Sequence, residues 1–370
     1  MGFEEVRTYQ FRNLSEKVID TRARNIFLIG KNGQGKSNFL EAVYFLCYGS
    51  SFRSKQEKIL GLNGKSDFSA RGIFSSENQA HKIFVKWDNG KKEILLDDNL
   101  IKDRKEVIRA MPCIAFTHED FLFVSGPPER QRYFIDQTLS LYDFDYIDGL
   151  RKYKKLLKTR NFLLRGGDAT LLDLYESQMV TAGLYLQKRR KESNDEFNVL
   201  FTELFHEVSG IKDTLKILYS PSWKFEEKEK ILDALREKRE QDRILGTTSQ
   251  GPHRDRFRFI SKGKDFVETA STGQIRLISL VLRSAQANYF ALKTGRKPIL
   301  LLDDVLLELD DEKRTKFIRR MPDYDQAFFT FLPDQALSED FHNEGMIYWV
   351  EVGELKVYED RRLSSEISQQ

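Results

Sequence analysis

The chain has 370 residues, 40% of them apolar, enough for two or three domains with real cores. Its 60 basic and 57 acidic side chains leave a formal charge of only +3, so a nucleic-acid surface would have to come from local clustering. Cys47 and Cys113 are too few and too far apart for C-x-x-C zinc sites or a disulfide scaffold, and no apolar run approaches the roughly 20 residues of a membrane span; with Glu4, Glu5, Arg7 and Arg12 near the start arguing against a signal peptide, the expectation is a cytoplasmic protein without membrane association.

Along the chain, residues 4–11 and 25–29 read as strands. The second runs into Gly30-Lys31-Asn32-Gly33-Gln34-Gly35-Lys36-Ser37, the G-x-x-x-x-G-K-[ST] spacing of a phosphate-binding loop, and residues 39–46 follow as an apolar helix. The chemistry depends on that context. Glycines let the backbone curl so that successive N–H groups point at phosphate oxygens, and the helix N-terminus adds positive potential. Lys36 then reaches the β- and γ-phosphates as a point charge, and Ser37 offers its hydroxyl to Mg²⁺.

Residues 68–74, 82–87 and 92–96 are short strands between Asn, Gly, Asp and Ser turns, an antiparallel meander, and 113–116 is a further apolar strand. After Gly126-Pro127-Pro128 the pattern becomes helical, at 146–164, at 170–191, and where Phe197, Leu200, Phe201, Leu204, Phe205 and Val208 recur on one face. Basic groups cluster here at Arg151, Lys152, Lys154, Lys155, Lys158 and Arg160, and again at 188–191. Either they contact DNA phosphates or they form solvated faces balanced by acids; Glu192, Asp195 and Glu196 favour the solvated face for the second cluster. Strand patterns return at 257–260, 298–302, 327–331 and 346–357, and the charged, serine-rich tail 359–370 reads as flexible.

The returning strands carry the remaining chemistry. Ile299-Leu300-Leu301-Leu302 ends in Asp303-Asp304, as a P-loop enzyme requires of a neighbouring strand: Asp303 to hold Mg²⁺, Asp304 to orient or deprotonate the attacking water. Upstream, Ser271-Thr272-Gly273-Gln274 opens an apolar helix and matches the S-x-G-Q signature of ABC ATPases, a second helix N-terminus suited to an anion. The P-loop already covers one face of the nucleotide. The signature Ser271, Gly273 and Gln274 are therefore expected to close the ATP site of a second copy, which implies an ATP-dependent homodimer. An ordinary N-cap at Ser271 or Thr272 is the alternative, and it would explain neither Gly273 nor Gln274.

Taken together, these motifs resemble the RecF family of bacterial recombination and repair ATPases, related to the SMC class. Phe11-Arg12-Asn13 is similar to the family's F-R-N, close to the nucleotide; Ser51-Phe52-Arg53 resembles its S-H-R, with Phe52 in place of histidine. Glu119-Asp120-Phe121 resembles P-E-D-L, residues 128–136 resemble P-x-x-R-R-x-F-[LI]-D, and Tyr153 to Asn161 match Y-x-x-x-L-x-x-R-N. Gly251-Pro252-His253-Arg254-Asp255 and Asp303-Asp304-Val305 with Glu308-Leu309-Asp310 complete the set. His253 and Arg254 are either structural or part of a dimer interface. The resemblance implies an α/β ABC-type P-loop ATPase head, a mixed sheet with an antiparallel subdomain, interrupted by a compact helical lobe. The head halves would be 1–126 and 247–358 and the lobe 127–246. It also implies slow ATP hydrolysis with Mg²⁺ and binding of duplex DNA near single-strand gaps or junctions. Partners would be RecR, with RecO and RecA downstream. Arg12 and Asn13 join the ATP ligands on the same ground. Asp304 stands where many ABC enzymes have glutamate, one methylene shorter, and Thr330 stands where others carry a histidine. The rival reading, an ABC-type ATPase subunit without DNA function, lacks the 128–136 and 251–255 segments. An overcoming-lysogeny nuclease would need a further carboxylate-rich domain.

Overall fold

The computed structural model describes residues 1–76, 79–167, 169–211, 213–333 and 345–358; the tail 359–370 lies outside them. The chain divides into two compact units, one of residues 1–118, 295–310 and 322–370, the other of 119–294 and 311–321.

The first unit holds two six-stranded sheets. One is antiparallel and runs, edge to edge, through strands Val18–Asp20, Gly2–Tyr9, Asp67–Ser76, Gln79–Asp88, Lys91–Leu96 and Asn99–Leu100. The meander is therefore longer than its pattern predicts and takes in the N-terminal strand. The other sheet is mixed, in the order Glu354–Val357, Gly345–Glu351, Asn25–Ile29, Gln326–Phe331, Ile299–Leu302 and Cys113–Phe116. Its last five strands are parallel, with an antiparallel hairpin at the edge. Central strands such as Ile299–Leu302 are wholly apolar and buried, as parallel strands covered on both faces must be.

Helix Lys36–Tyr48 lies between the two sheets of this unit and touches strands of both. Residues 39–47 of it are all buried, the signature of a helix with no solvent face. Phe11, Phe45 and Phe68 meet around it with ring centroids 5.6 to 5.8 Å apart. One of those buried residues is charged: Glu41.

The second unit is mainly helical. The two helical patterns at 170–191 and 197–208 prove to be one helix, Leu172–Ser209, packed against helix Phe144–Leu164 and helix Thr272–Thr294. Segment 247–294, grouped in sequence with the C-terminal half of the head, packs within this unit. A three-stranded sheet, Lys264–Asp265, Arg256–Ser261 and Leu215–Ser220, completes it. Strand Leu215–Ser220 is an edge strand, and Asn194, Asn198 and Thr202 of the long helix close that edge. Asn194 and Asn198 donate to the Ile217 carbonyl, Asn198 accepts from the Ile217 N–H, and Thr202 donates to the Leu215 carbonyl. Among the described residues no helix is long and apolar enough to cross a membrane.

Candidate active site

The phosphate-binding loop leaves the buried strand Asn25–Ile29 at Gly30. A Cβ there would sit 2.4 Å from the Val350 carbonyl, so only glycine lets the loop start against its neighbour strand. Gly33 and Gly35 have φ of 77° and 121°, conformations that L side chains avoid. Helix Lys36–Tyr48 then begins with no side chain capping its N-terminus. Its first amides are left for an anion. Lys31, Asn32 and Gly33 form the exposed rim of the loop.

Lys36 is buried and folds back over the loop, its Nζ donating to the carbonyls of Gly30 (2.7 Å) and Lys31 (3.2 Å). Burial lowers its pKa from the ordinary lysine value, and the charges of Asp304 and Asp303 oppose that shift. The Ser37 hydroxyl donates to Asp303 Oδ1 at 2.6 Å. Burial raises the Asp303 pKa, partly offset by that hydrogen bond, and the Asp304 charge raises it further. A hydroxyl and a carboxylate in contact, both hard oxygen ligands, fit Mg²⁺, which takes one or two protein oxygens and completes its octahedron with phosphate and water.

The Asp-Asp strand is not the immediate neighbour of the loop strand, as the sequence reading requires. Strand Gln326–Phe331 lies between, pairing with both. Thr330 of that strand fills the intervening space. Its Oγ1 accepts from the Asp304 N–H (2.7 Å) and donates to Asp304 Oδ1 (2.8 Å). Asp304 itself has φ of 55°, a left-handed conformation rare outside glycine. Lys36, Ser37, Asp303 and Asp304 thus come together, and Thr330, to which the sequence reading assigned no role, joins them.

Arg12 and Asn13 stand beside the loop, each turned toward the protein. Arg12 makes a two-pronged contact with Glu41 at 2.9 and 3.1 Å. Ser51 also hydrogen-bonds Glu41, and Arg53 lies 3.7 Å from its other oxygen while donating to Asn38 at 2.9 Å. Asn38 donates to Asn13 Oδ1, and Asn13 donates to the Gln34 carbonyl. Gln34 is further held by the hairpin turn at Val352 and Gly353, whose N–H groups reach its Oε1 and carbonyl oxygen. Gly353 is obligatory there, since a Cβ would fall 1.7 Å from the Asn13 carbonyl oxygen. Glu41 is the charge that sequence reasoning missed. Its one signal is a lone carboxylate in an otherwise unbroken apolar helix.

In the second unit, Ser271 and Gln274 exchange hydrogen bonds: Ser271 N–H to Gln274 Oε1 at 2.8 Å, Gln274 N–H to Ser271 Oγ at 3.2 Å. This is a capping box, and it corrects the expectation that capping leaves Gln274 unexplained. Gly273 is exposed, and a Cβ there would meet nothing within 4 Å.

Several motif residues prove to be internal. Arg160, from the first basic cluster, is fully buried against Glu176 and Asp242, and Arg190, from the second, against Asp136 and Asp255. Neither presents its charge to solvent. Asp120 holds Arg283 in the same way, with the guanidinium 4.7 Å above the Phe123 ring centroid. Tyr153 lies 2.7 Å from His253 Nδ1 and the Thr248 carbonyl 2.9 Å from Nε2, and Arg254 also reaches Thr248, so both turn residues bond within their own unit.

The chain matches the model of the RecF/RecN/SMC N-terminal domain family over residues 3–347. It is 39% identical to the DNA replication and repair protein RecF of Treponema pallidum, covering 93% of this chain and 97% of that one. A solved structure described as the recombination mediator protein RecF with ATP, in the RecFOR pathway, superposes with a TM-score of 0.87 at 28% identity, over 96% of this chain and 97% of that one. An SMC head bound to the C-terminal winged-helix domain of ScpA, at 14% identity and a TM-score of 0.56 over 99% of this chain and all of that one, shares the fold. The chain therefore belongs to the RecF/RecN/SMC N-terminal domain family, and within it to the RecF proteins.

Proposed function

We propose that the protein is an ATP-gated DNA clamp of recombinational repair acting in the cytoplasm. ATP draws two copies together on DNA near single-strand gaps, and slow hydrolysis lets them part. The observation that carries this reading is the cluster Lys36–Ser37–Asp303–Asp304–Thr330, an assembled nucleotide site lacking only what lies beyond the γ-phosphate. Its uncapped helix N-terminus and loop amides of residues 30–37 bind the phosphates. On binding, Lys36 exchanges two loop carbonyls for phosphate oxygens. Ser37 and Asp303 would hold Mg²⁺, which neutralises charge on the β- and γ-phosphates when bound. Asp304, held by Thr330, orients the attacking water and accepts its proton. Arg12 and Asn13 fix the near wall of the site through Glu41 and Gln34.

Ser271, Gly273 and Gln274 of a second copy close the site. The exposed glycine supports this, since its own helix has no use for it. The dimer then persists only while the γ-phosphate does, a matter of mass action between two surfaces bridged by one ligand. RecR, with RecO and RecA downstream, are the proposed partners, in line with the RecFOR pathway named for the solved relative.

The test is solution mass by light scattering with ATP, ADP or no nucleotide, on wild type and Ser271→Arg, with and without gapped duplex DNA. Dimers with ATP alone, lost in Ser271→Arg and carrying DNA, support the clamp. A mass indifferent to ATP, with no DNA bound, leaves a nucleotide site and removes the clamp.

A further inference from the structure

The outer face of helix Phe144–Leu164 carries a stripe that the fold does not use. Arg151, Lys155, Lys158 and Phe162 recur at i, i+4, i+7 and i+11, one line along the helix, with Lys154 flanking it. The stripe is about 16 Å long at 1.5 Å per residue. Arg151 sits 3.5 Å from Asp148. Lys154, Lys155 and Lys158 are exposed, and among the described residues none of the three has a carboxylate or hydrogen-bond partner for its side chain. The solvated face balanced by acids is thus not what these three lysines show. Like charges at i, i+3 and i, i+4 weaken the helix that bears them, so local stability does not account for them. Phe162 lies within the same stripe and is 69% exposed. The other face of the helix supplies its core residues, Tyr153, Leu156, Leu163 and Leu164.

We infer that this stripe binds single-stranded DNA, with Lys154, Lys155 and Lys158 on successive phosphates and the Phe162 ring stacked on an unpaired base. The inference rests on the DNA-binding reading above and assigns the single-stranded side of a gap to a named surface. The occupant follows from the chemistry. Cations alone fit any polyanion, but an aromatic ring projecting from a cationic stripe finds a π-face only where bases are unstacked; a duplex hides them.

The experiment is fluorescence anisotropy of the full chain with ATP and Mg²⁺ present, using labelled oligo(dT), a duplex of equal length and a gapped duplex, over a salt series. The variants are wild type, Phe162→Ala, Phe162→Tyr and the pair Lys155→Gln with Lys158→Gln; circular dichroism checks that each keeps its helix. Expected is a loss of roughly tenfold in oligo(dT) affinity for Phe162→Ala. Phe162→Tyr retains affinity, and duplex affinity is unchanged by either. The lysine pair reduces the salt slope by about 1.4, near 0.7 for each phosphate released. Unchanged oligo(dT) binding by Phe162→Ala, or an equal loss on duplex, overturns the inference while wild-type binding to DNA leaves the clamp standing. Wild type that binds neither oligo(dT), duplex nor gapped DNA overturns both.

Discussion

Thr330 has one hydroxyl, and it contacts Asp304 twice, at its backbone N–H and at its carboxylate. That is how a residue in a left-handed conformation is held in place, with its charge felt by Lys36 of the loop. Thr330→Val keeps the shape and removes the hydroxyl, leaving the Asp304 N–H without its partner. Hydrolysis should fall about tenfold while nucleotide affinity changes by less than about twofold, because the lost bonds act on the proposed water-directing group and not on the proposed phosphate ligands. Steady-state ATPase alongside a binding isotherm measures both; equal losses in the two would point to a damaged loop instead. Asp304→Asn removes the proposed proton acceptor itself and should trap the ATP-bound dimer, so undiminished turnover in that variant would end that role. Glu41 acts differently. It is a fully buried carboxylate shared by Arg12, Ser51 and Arg53. Glu41→Ala leaves two arginines without their counter-charge, and urea unfolding should show a loss of about 3 kcal/mol, the lower end for breaking a buried pair because Arg53 is half in solvent. Of these residues Asp304 was legible in the sequence, from its place after an apolar strand. The partners Thr330 and Glu41 were not, because a hydrogen bond across a sheet or from a helix to turns elsewhere in the chain leaves no spacing to read.

The loop helix and the signature helix begin in opposite ways, and the difference is physical. Helix Lys36–Tyr48 starts uncapped, whereas helix Thr272–Thr294 is satisfied by its own Ser271 and Gln274. With the capping box accounting for Ser271 and Gln274, Gly273 is the residue without an internal reason. Gly273→Ala should stabilise the isolated chain by about 0.5 kcal/mol, since it restricts the unfolded state and meets no neighbour. It should nonetheless weaken ATP-dependent dimerisation. A variant that melts higher and still dimerises normally would remove the signature from the interface. The turn Pro252–Arg254 supplies a pH dependence. Burial pushes the His253 pKa down to about 4, below the ordinary 6.5. Between those values the unfolded chain binds a proton that the folded chain refuses, so this contribution is complete above pH 6.5 and is lost as pH falls toward 4, by about 3 kcal/mol at most. In His253→Gln the gap in stability from wild type should narrow across that window; a gap independent of pH would contradict it. Element by element, the sequence pattern located the loop strand, the Asp-Asp strand and the signature helix. It divided the long helix in two because inward positions Gln187, Arg190 and Asn194 are polar, each with an internal partner, which interrupts the apolar period. It missed strand Leu215–Ser220, six residues whose free edge is closed by helix side chains and not by another strand.

At the scale of the whole molecule, the residues proposed for the ATP site come from both compact units. The loop and the two aspartates belong to the first unit and the signature to the second. If each site takes its signature from another copy, a two-fold dimer contains two identical composite sites, and the halves of each site lie on different chains. This has a consequence that no single-chain enzyme shares. Lys36→Ala disables the loop half, Ser271→Arg disables the signature half, and neither variant alone hydrolyses ATP. Neither variant forms the ATP-dependent homodimer, so every dimer in an equal mixture is a heterodimer that pairs one intact loop with one intact signature. One of its two sites is then complete, so the mixture should recover up to about half of the wild-type rate if one bridging nucleotide holds the pair and the sites act independently. The recovery should also rise steeply as total protein passes through the dimer dissociation constant, since it depends on a bimolecular encounter. Strict coupling between the sites would reduce the recovered rate without abolishing formation of the mixed dimer, which light scattering with ATP reads separately. A mixture that forms the mixed dimer and yet hydrolyses nothing would show that both nucleotides must be bound before either is cleaved. One that neither pairs nor hydrolyses would show that ATP does not bridge two copies, and the clamp would lose its ATP gate.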